Sequence, residues 1–374
     1  MPGRKLIILV TMSEKYALTP RTEQLFPEGP HVTVRFLDHS SDAELKQYWD
    51  LYRVLDEEFC GAHERRTPGQ LRAEHADTDH KRSYQLVAEV ESLEGARMIA
   101  GLAELQLPLA ENTDTQEIEL VVYPAWRGKG IGTMLTDALR DIMTHEERPK
   151  AFGYALTHVD STQAENELPA SRIATRLGLA KVATEFVSTV SLPLDRDLVE
   201  DLHVEVEASL GKYRIITWEG DVPEEHMEQW CVLLNQMVAD APTEDSSLEK
   251  PEYDEERIRA IEARIAERGY RRLTAVALAS NGTFAGTSYV MFREDGSRLG
   301  EQAITLVMPE HRGHNLGLAL KLMTHRLLTE TESKVDVLRT YTNHTNTHMN
   351  AINERLGYRT VAKEITFEGK LRGI

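Results

Sequence analysis

The sequence predicts an α/β protein with a mixed α+β sheet, assembled as two domains in tandem. Three observations carry that prediction. Residues 116–143 read as an apolar strand, a glycine-rich turn and an amphipathic helix; residues 303–328 repeat that unit with arginine and glycine at matching places; and the order of strands and helices around the two units is the same. A repeated unit of this kind marks duplication of a whole domain, and 374 residues suffice for two separate cores. The expected division is an amino-terminal arm over 1–30, a first domain over 31–194, a linker helix over 195–212 and a second domain over 213–374.

The arm opens with Arg4 and Lys5 ahead of Leu6, Ile7, Ile8, Leu9 and Val10. That apolar run is too short for a secretory signal or a membrane span, so a leading strand or a packed arm is expected. A strand over 32–36 comes next, then a helix that Ser41 or Asp42 caps and that carries Leu45, Tyr48, Leu51 and Leu55. After a polar stretch rich in His and Asp, 84–90 and 97–107 form a hairpin through Gly95. Residues 117–122 alternate Glu117, Ile118, Glu119 and then turn wholly apolar through Leu120, Val121 and Val122, the pattern of a strand entering a core. Tyr123, Pro124 and Ala125 end it, Gly128, Gly130 and Gly132 permit a tight turn, and Ile131, Leu135, Leu139 and Ile142 lie along one face of the helix beyond. Unpaired N–H groups and a positive dipole at such a helix start suit an anion, and Arg127 and Lys129 add charge. A strand over 151–157, a short helix over 169–176 closed by Gly178, and a strand pair over 179–192 complete the first half.

The turn is not a Walker A loop, which needs G-x-x-x-x-G-K-[ST]. Nor is it a Rossmann fingerprint, whose first glycine follows the strand directly. Its R-x-x-G-x-G run, formed by Arg127, Gly130 and Gly132, resembles the acetyl-CoA pyrophosphate loop of the GNAT acyltransferases, and the element order matches that fold. The second copy has Arg312 and Gly317 at one constant offset from Arg127 and Gly132, with Asn315 in place of the middle glycine; Asn tolerates positive φ next best.

The second half repeats the order. A linker helix over 195–209 leads to a strand over 213–218, a helix over 223–238 and an acidic loop holding Asp240, Glu244, Asp245, Glu249 and Glu252. A helix over 254–268 and a hairpin over 273–279 and 283–292, turned through Asn281 and Gly282, come before the second motif. Strand 335–341, helix 347–355 and strand 358–367 end the chain. The resemblance thus covers 31–194 and 213–368. It is to tandem GNAT proteins of actinobacterial type, with the architecture of the mycothiol synthases, in which one lobe catalyses and the other binds acetyl-CoA idly or serves as scaffold.

A net charge of −18 without any basic stripe argues against a nucleic-acid or anionic-membrane surface and suits solubility first, or a cationic substrate. Two cysteines, Cys60 and Cys231, make neither a disulfide framework nor a zinc site, so a reducing cytoplasm is expected, with the chain a monomer or homodimer and no metal.

The resemblance implies acetyl-CoA as co-substrate and direct attack of an amine on its thioester, without an enzyme nucleophile. It assigns the co-substrate to Val121, Val122, Arg127, Gly128, Lys129, Gly130, Ile131, Gly132 and Thr133 in the first lobe. In the second it assigns Leu306, Val307, Arg312, Gly313, His314, Asn315, Leu316 and Gly317, with Asn346 capping the last helix beside the pantetheine arm. The first lobe has Glu167 where the second has Asn346. Glu117 or Glu119 is the implied base of the first lobe, and Glu301, near Gln302 and Thr305, the weaker candidate of the second. The tyrosine that the family commonly offers to the leaving thiolate is replaced by Ala174 and Asn353, leaving Tyr341 or Tyr358 as substitutes. The function expected is acetyl transfer to the primary amine of a small molecule. A non-catalytic CoA-binding sensor or scaffold and a protein-lysine acetyltransferase are the alternatives.

Overall fold

The computed structural model describes residues 21–24, 31–92, 94–240 and 247–372. The predicted strand near Leu6, and Glu244 and Asp245 of the acidic loop, lie outside them. The first half runs β1 (Arg21–Gln24), β2 (His31–Phe36), α1 (Asp42–Cys60), α2 (Pro68–His75), β3 (Lys81–Glu91), β4 (Arg97–Pro108), β5 (Thr115–Val122), α3 (Ile131–His145), β6 (Lys150–His158), α4 (Pro169–Leu177) and β7 (Ala180–Ser191). The second runs α5 (Arg196–Leu210), β8 (Arg214–Glu219), α6 (Met227–Asp240), α7 (Glu255–Glu267), β9 (Tyr270–Leu278), β10 (Phe284–Arg293), β11 (Leu299–Val307), α8 (Leu316–Thr329), β12 (Val337–Asn343), α9 (Thr347–Arg355) and β13 (Arg359–Lys370).

Two expectations are corrected. The polar stretch after α1 contains α2, started by a capping box in which Thr67 accepts from the Gln70 backbone while Gln70 reaches back to the Thr67 N–H, with Pro68 in the first turn. The strand pair expected over 179–192 is the single strand β7, whose partners come from the other half of the chain.

The thirteen strands of the described residues form one sheet, in the order β1-β2-β3-β4-β5-β6-β13-β7-β12-β11-β10-β9-β8. The last strand of each half is laid into the other half: β13 pairs with β6, β7 pairs with β12, and β7 and β13 pair with each other at the centre. The cores confirm the exchange. Ile365 and Phe367 of β13 pack with Ile131, Leu135 and Leu139 of α3, and Val190 of β7 packs with Leu318 and Leu322 of α8. Helices cover both faces of each lobe. In the first, α3 and α4 lie on one face and α1 and α2 on the other. In the second, α5, α8 and α9 lie on one face and α6 and α7 on the other.

Among the described residues only β5·β6 and β11·β12 pair in parallel, and both ladders are short. The first ends at Ile118 opposite Gly153 and the second at Glu301 opposite Arg339; beyond those rungs each pair of strands separates. Each lobe therefore carries a slot in its sheet, opening toward the loop that starts α3 or α8. Among the described residues, no helix is long and apolar enough to cross a membrane.

Candidate active site

The two loops are built alike. Arg127 donates from Nε to the Val122 carbonyl at 3.1 Å, and Arg312 donates from Nε to the Val307 carbonyl at 3.2 Å, so each arginine ties its loop to the end of the strand before it. Each guanidinium then meets a carboxylate from the last turn of the helix across the sheet. Arg127 grips both oxygens of Glu58 at 2.8 and 2.7 Å, and Arg312 pairs with Asp240. Both arginines are thus engaged in holding the loop. Gly128 and Gly130 stand at φ 73° and 87°, Gly313 at 82°, and Asn315 at 53°, the left-handed conformation that the Gly-to-Asn replacement permits. Gly130 and Asn315 open their helices without any side-chain cap, which leaves first-turn N–H groups without a side-chain partner.

Surroundings separate the two cradles. In the first lobe Gly128, Lys129, Gly130 and Thr133 are exposed, Ile131 is buried beneath them, and the Lys129 ammonium lies over the Trp126 ring at 4.6 Å. Val121 is buried and Val122 half-buried, and Gly132 packs near Ile173, Leu120 and Val122. In the second lobe the linker helix brings Glu205 to the loop: its carboxylate accepts from Asn315 Nδ2 at 3.1 Å and pairs with Arg355. Tyr213 lies against His311 and His314. Leu306, Leu316 and Gly317 are buried, and a Cβ on Gly317 would stand 3.1 Å from Ile352. Asn346 caps α9, accepting from Met349 N at 3.1 Å.

The candidate bases differ as sharply. Glu117 and Glu119 share one face of β5, with Glu119 just past the last parallel rung. Glu119 is deep in the slot yet open to solvent along it. Crowding by protein, together with the negative charges of Glu104 and Glu117, pushes its carboxyl up to about 8, against a hydrogen bond from Tyr52 that favours the charged form. Glu117 is raised too, by burial and by Glu104. Tyr154, half exposed on β6, stands one residue past the last rung on the facing wall, near Glu117, Glu364 and Glu185.

The second lobe lacks this arrangement. A bulge leaves Ala303 unpaired, so that Glu301 sits opposite Met291 and Ile304 opposite Tyr289, whereas in the first lobe Glu117 sits opposite Gln106 and Glu119 opposite Glu104. Glu301 faces Arg339 at 3.7 Å, and Arg339 also binds Asp56 of α1 at 3.0 Å. Glu301 is therefore paired with a half-buried cation that also reaches Asp56 of the first half, so its carboxylate is not free. Tyr358 is also removed from consideration: it is buried, bonded to His325 at 2.9 Å and covered by Lys321. Ala174 and Asn353, at the expected tyrosine places, are both core residues.

Sequence reasoning missed Tyr52, Tyr154 and Glu104. Tyr52 follows Tyr48 by one helical turn and Glu104 interrupts an apolar strand, and those were the available signals. The helix start without a side-chain cap and the strands that separate past Gly153 are the features of the first lobe that could hold an acyl-thioester with an anionic end. Among the described residues, no group of three or more His, Cys, Asp or Glu is arranged to hold a metal.

A profile of the acetyltransferase (GNAT) family matches residues 48–167, the span that holds Tyr52, Glu104, Glu119 and the first loop. No curated protein matches the chain. Among solved structures, a tandem GNAT protein from the clavulanic acid biosynthesis pathway is similar at a TM-score of 0.66 and 20% identity, covering 91% of this chain and 98% of its own. A GCN5-related N-acetyltransferase from Sphaerobacter thermophilus gives 0.58 at 15% identity, covering 92% and 97%. N-myristoyltransferase of Saccharomyces cerevisiae, solved with myristoyl-CoA, gives 0.51 at 11% identity, covering 94% and 81%. Residues 48–167 therefore match the GNAT family model, and the chain as a whole has the fold of a tandem GNAT protein.

Proposed function

We propose that the protein is an acetyl-CoA-dependent N-acetyltransferase whose first lobe acts on the primary amine of a small cationic molecule, while the second lobe serves as scaffold. The observation that carries this reading is the asymmetry of two slots built on one plan. The first combines an open anion cradle with Glu119, a carboxylate whose proton affinity suits a base near neutral pH. The second has Ile304 in register where the first has Glu119, binds its own Glu301 to Arg339, and presents Glu205 to its cradle.

On this reading the turn from Gly128 to Gly132 holds the pyrophosphate through backbone N–H groups, with Lys129 adding charge. Val121 and Val122 flank the arm. Glu119 accepts the proton of the attacking amine, and Glu117 with Glu364, whose carboxyl is raised to about 7 by burial and by the nearby Glu185, gives the slot the negative character that draws a cation. The slot's open end favours a free amine over a residue embedded in a folded protein.

Calorimetric titration of acetyl-CoA into the full chain and into Gly130→Trp and Gly317→Trp variants tests the assignment. We expect one site, lost with Gly130→Trp and kept with Gly317→Trp, and thiol release on a panel of small amines. Absence of binding by the intact protein would refute the acetyltransferase reading, and loss only with Gly317→Trp would move the activity to the second lobe.

A further inference from the structure

Arg127 stands in the loop that the acetyltransferase reading gives to the pyrophosphate, yet its charge is already answered from within the chain. Its Nη1 and Nη2 donate to the two oxygens of Glu58 at 2.8 and 2.7 Å, the parallel bidentate fit of guanidinium and carboxylate. Arg127 holds the Glu58 carboxyl below its ordinary value, so the acid is charged at neutral pH. An anion arriving at Gly130 therefore meets a neutralised arginine with a carboxylate beside it, and Lys129 is the other cation of the loop.

Glu58 also reaches the other side of the slot. His158, the last residue of β6, brings Nε2 to 3.6 Å from the same carboxylate, and its ring lies against Phe59 with centroids 4.5 Å apart. Arg127 is in turn tied to Val122, the last residue of β5. Because β5 and β6 part beyond Gly153, Glu58 spans the opening between them, one carboxylate engaging a group fixed to each wall. The Arg127 and His158 side chains are 44% and 47% exposed, so water or another ion can replace either contact at small cost. The shape of the loop does not hang on Glu58: the bond from Arg127 Nε to Val122 and the positive φ of Gly128 and Gly130 fix it separately. What Glu58 contributes is charge. The second lobe repeats the pairing at its own loop, where Arg312 meets Asp240, the last residue of α6. The pairing is common to both lobes although they differ at Gly130 and Asn315 and at Glu119 and Ile304.

We propose that Glu58 is an internal competitor for the co-substrate: its carboxylate occupies Arg127 and straps the mouth of the first slot until the pyrophosphate takes its place. One anion on Arg127 is exchanged for another, and Glu58 turns to solvent as the strap opens. The strap lowers the affinity of the first lobe for every CoA species. This inference rests on the reading of residues 127–132 as the pyrophosphate loop.

Calorimetric titration of CoA, which carries the pyrophosphate without the reactive thioester, into the full chain and into Glu58→Gln tests it. The substitution keeps the length of the side chain and removes its charge. CoA should bind about three- to tenfold more tightly to the variant at about 0.1 M salt, because a negative charge near the two pyrophosphate charges is gone from a partly exposed site. The gain should shrink at about 1 M salt, where the screening length falls from about 10 to about 3 Å. Glu58→Ala, with a residue that favours helix, carries the same expectation if Glu58→Gln does not fold. Unchanged or weaker binding by the variants would overturn the proposal and make Glu58 a buttress of the loop, with the reading of the loop intact. A gain equal at both salt concentrations would overturn it as well, because the obstruction would then be steric. Failure of the wild type and the variants alike to bind CoA would refute the pyrophosphate reading of the loop, and the proposal with it.

Discussion

Glu119 concentrates the chemistry of the first lobe in one titration. Its carboxyl sits up at about 8 because protein crowds it and because Glu104 and Glu117 are near, and both causes act against the charged form. A base must be unprotonated, so kcat/KM should rise with unit slope up to about pH 8 and level off above it. Glu119→Gln should lower the rate by about 10²–10⁴-fold, abolish that limb and leave acetyl-CoA binding intact. Steady-state rates from pH 6 to 10 check this, and a limb that survives the substitution would exclude Glu119 as the base. The same shift has a sign in stability. A carboxyl raised on folding binds more protons in the native than in the unfolded state between its two pKa values, so the wild type loses stability as pH rises from about 4.5 toward about 8. Glu119→Gln lacks that loss. Solvent along the slot screens the group, so the difference in stability should be about 1 kcal/mol rather than the full linkage value.

The slot itself is a property of strands, and Gly153 sets where it begins. It forms the last rung of β5·β6 with Ile118, and a Cβ there would stand 2.6 Å from the Ile118 carbonyl oxygen. Its backbone is extended, so the requirement is close approach rather than positive φ. Gly153→Ala must push the strands apart one rung early, at a cost of about 2–4 kcal/mol, and should weaken acetyl-CoA binding as the slot changes shape. Denaturant unfolding with calorimetric titration would show both effects; stability within about 0.5 kcal/mol of wild type would refute the constraint. Elements like β5 and α3 were legible because apolar periodicity and glycine spacing are local. Three features were not. The capping box of Thr67 and Gln70 stood in the sequence, but α2 is short and its polar composition masked it. The bulge at Ala303 leaves no mark in composition, yet it decides that Ile304 faces Tyr289 and that Glu301 turns to Arg339. The engagement of Arg127 by Glu58 and of Arg312 by Asp240 depends on how α1 and α6 cross the sheet, which periodicity does not encode.

At the scale of the molecule, the duplication was readable and its interlocking was not. Apolar residues along 180–191 and 359–370 announce strands, but nothing local states that each strand pairs in the other half. The exchange makes the lobes interdependent. Without the second half, β6 would lose its partner β13 and show a bare edge, α3 would lose contact with Ile365 and Phe367, and β7 would have neither β12 nor β13 to pair with. Polar contacts add to the interlock: Tyr270 donates to Glu64 at 2.6 Å, Arg65 N to Ser297 at 2.8 Å, and Arg339 to Asp56 at 3.0 Å. An exposed strand edge is also a template for aggregation. Residues 31–194 expressed alone should therefore aggregate or remain unfolded, although they contain the whole first motif, and the two halves expressed together should recover a soluble complex. The intact chain should melt in one transition, with calorimetric and van't Hoff enthalpies in agreement. Two separate transitions, or a first half that is soluble, folded and able to bind acetyl-CoA by itself, would show that the exchanged strands contribute little and that the lobes are independent.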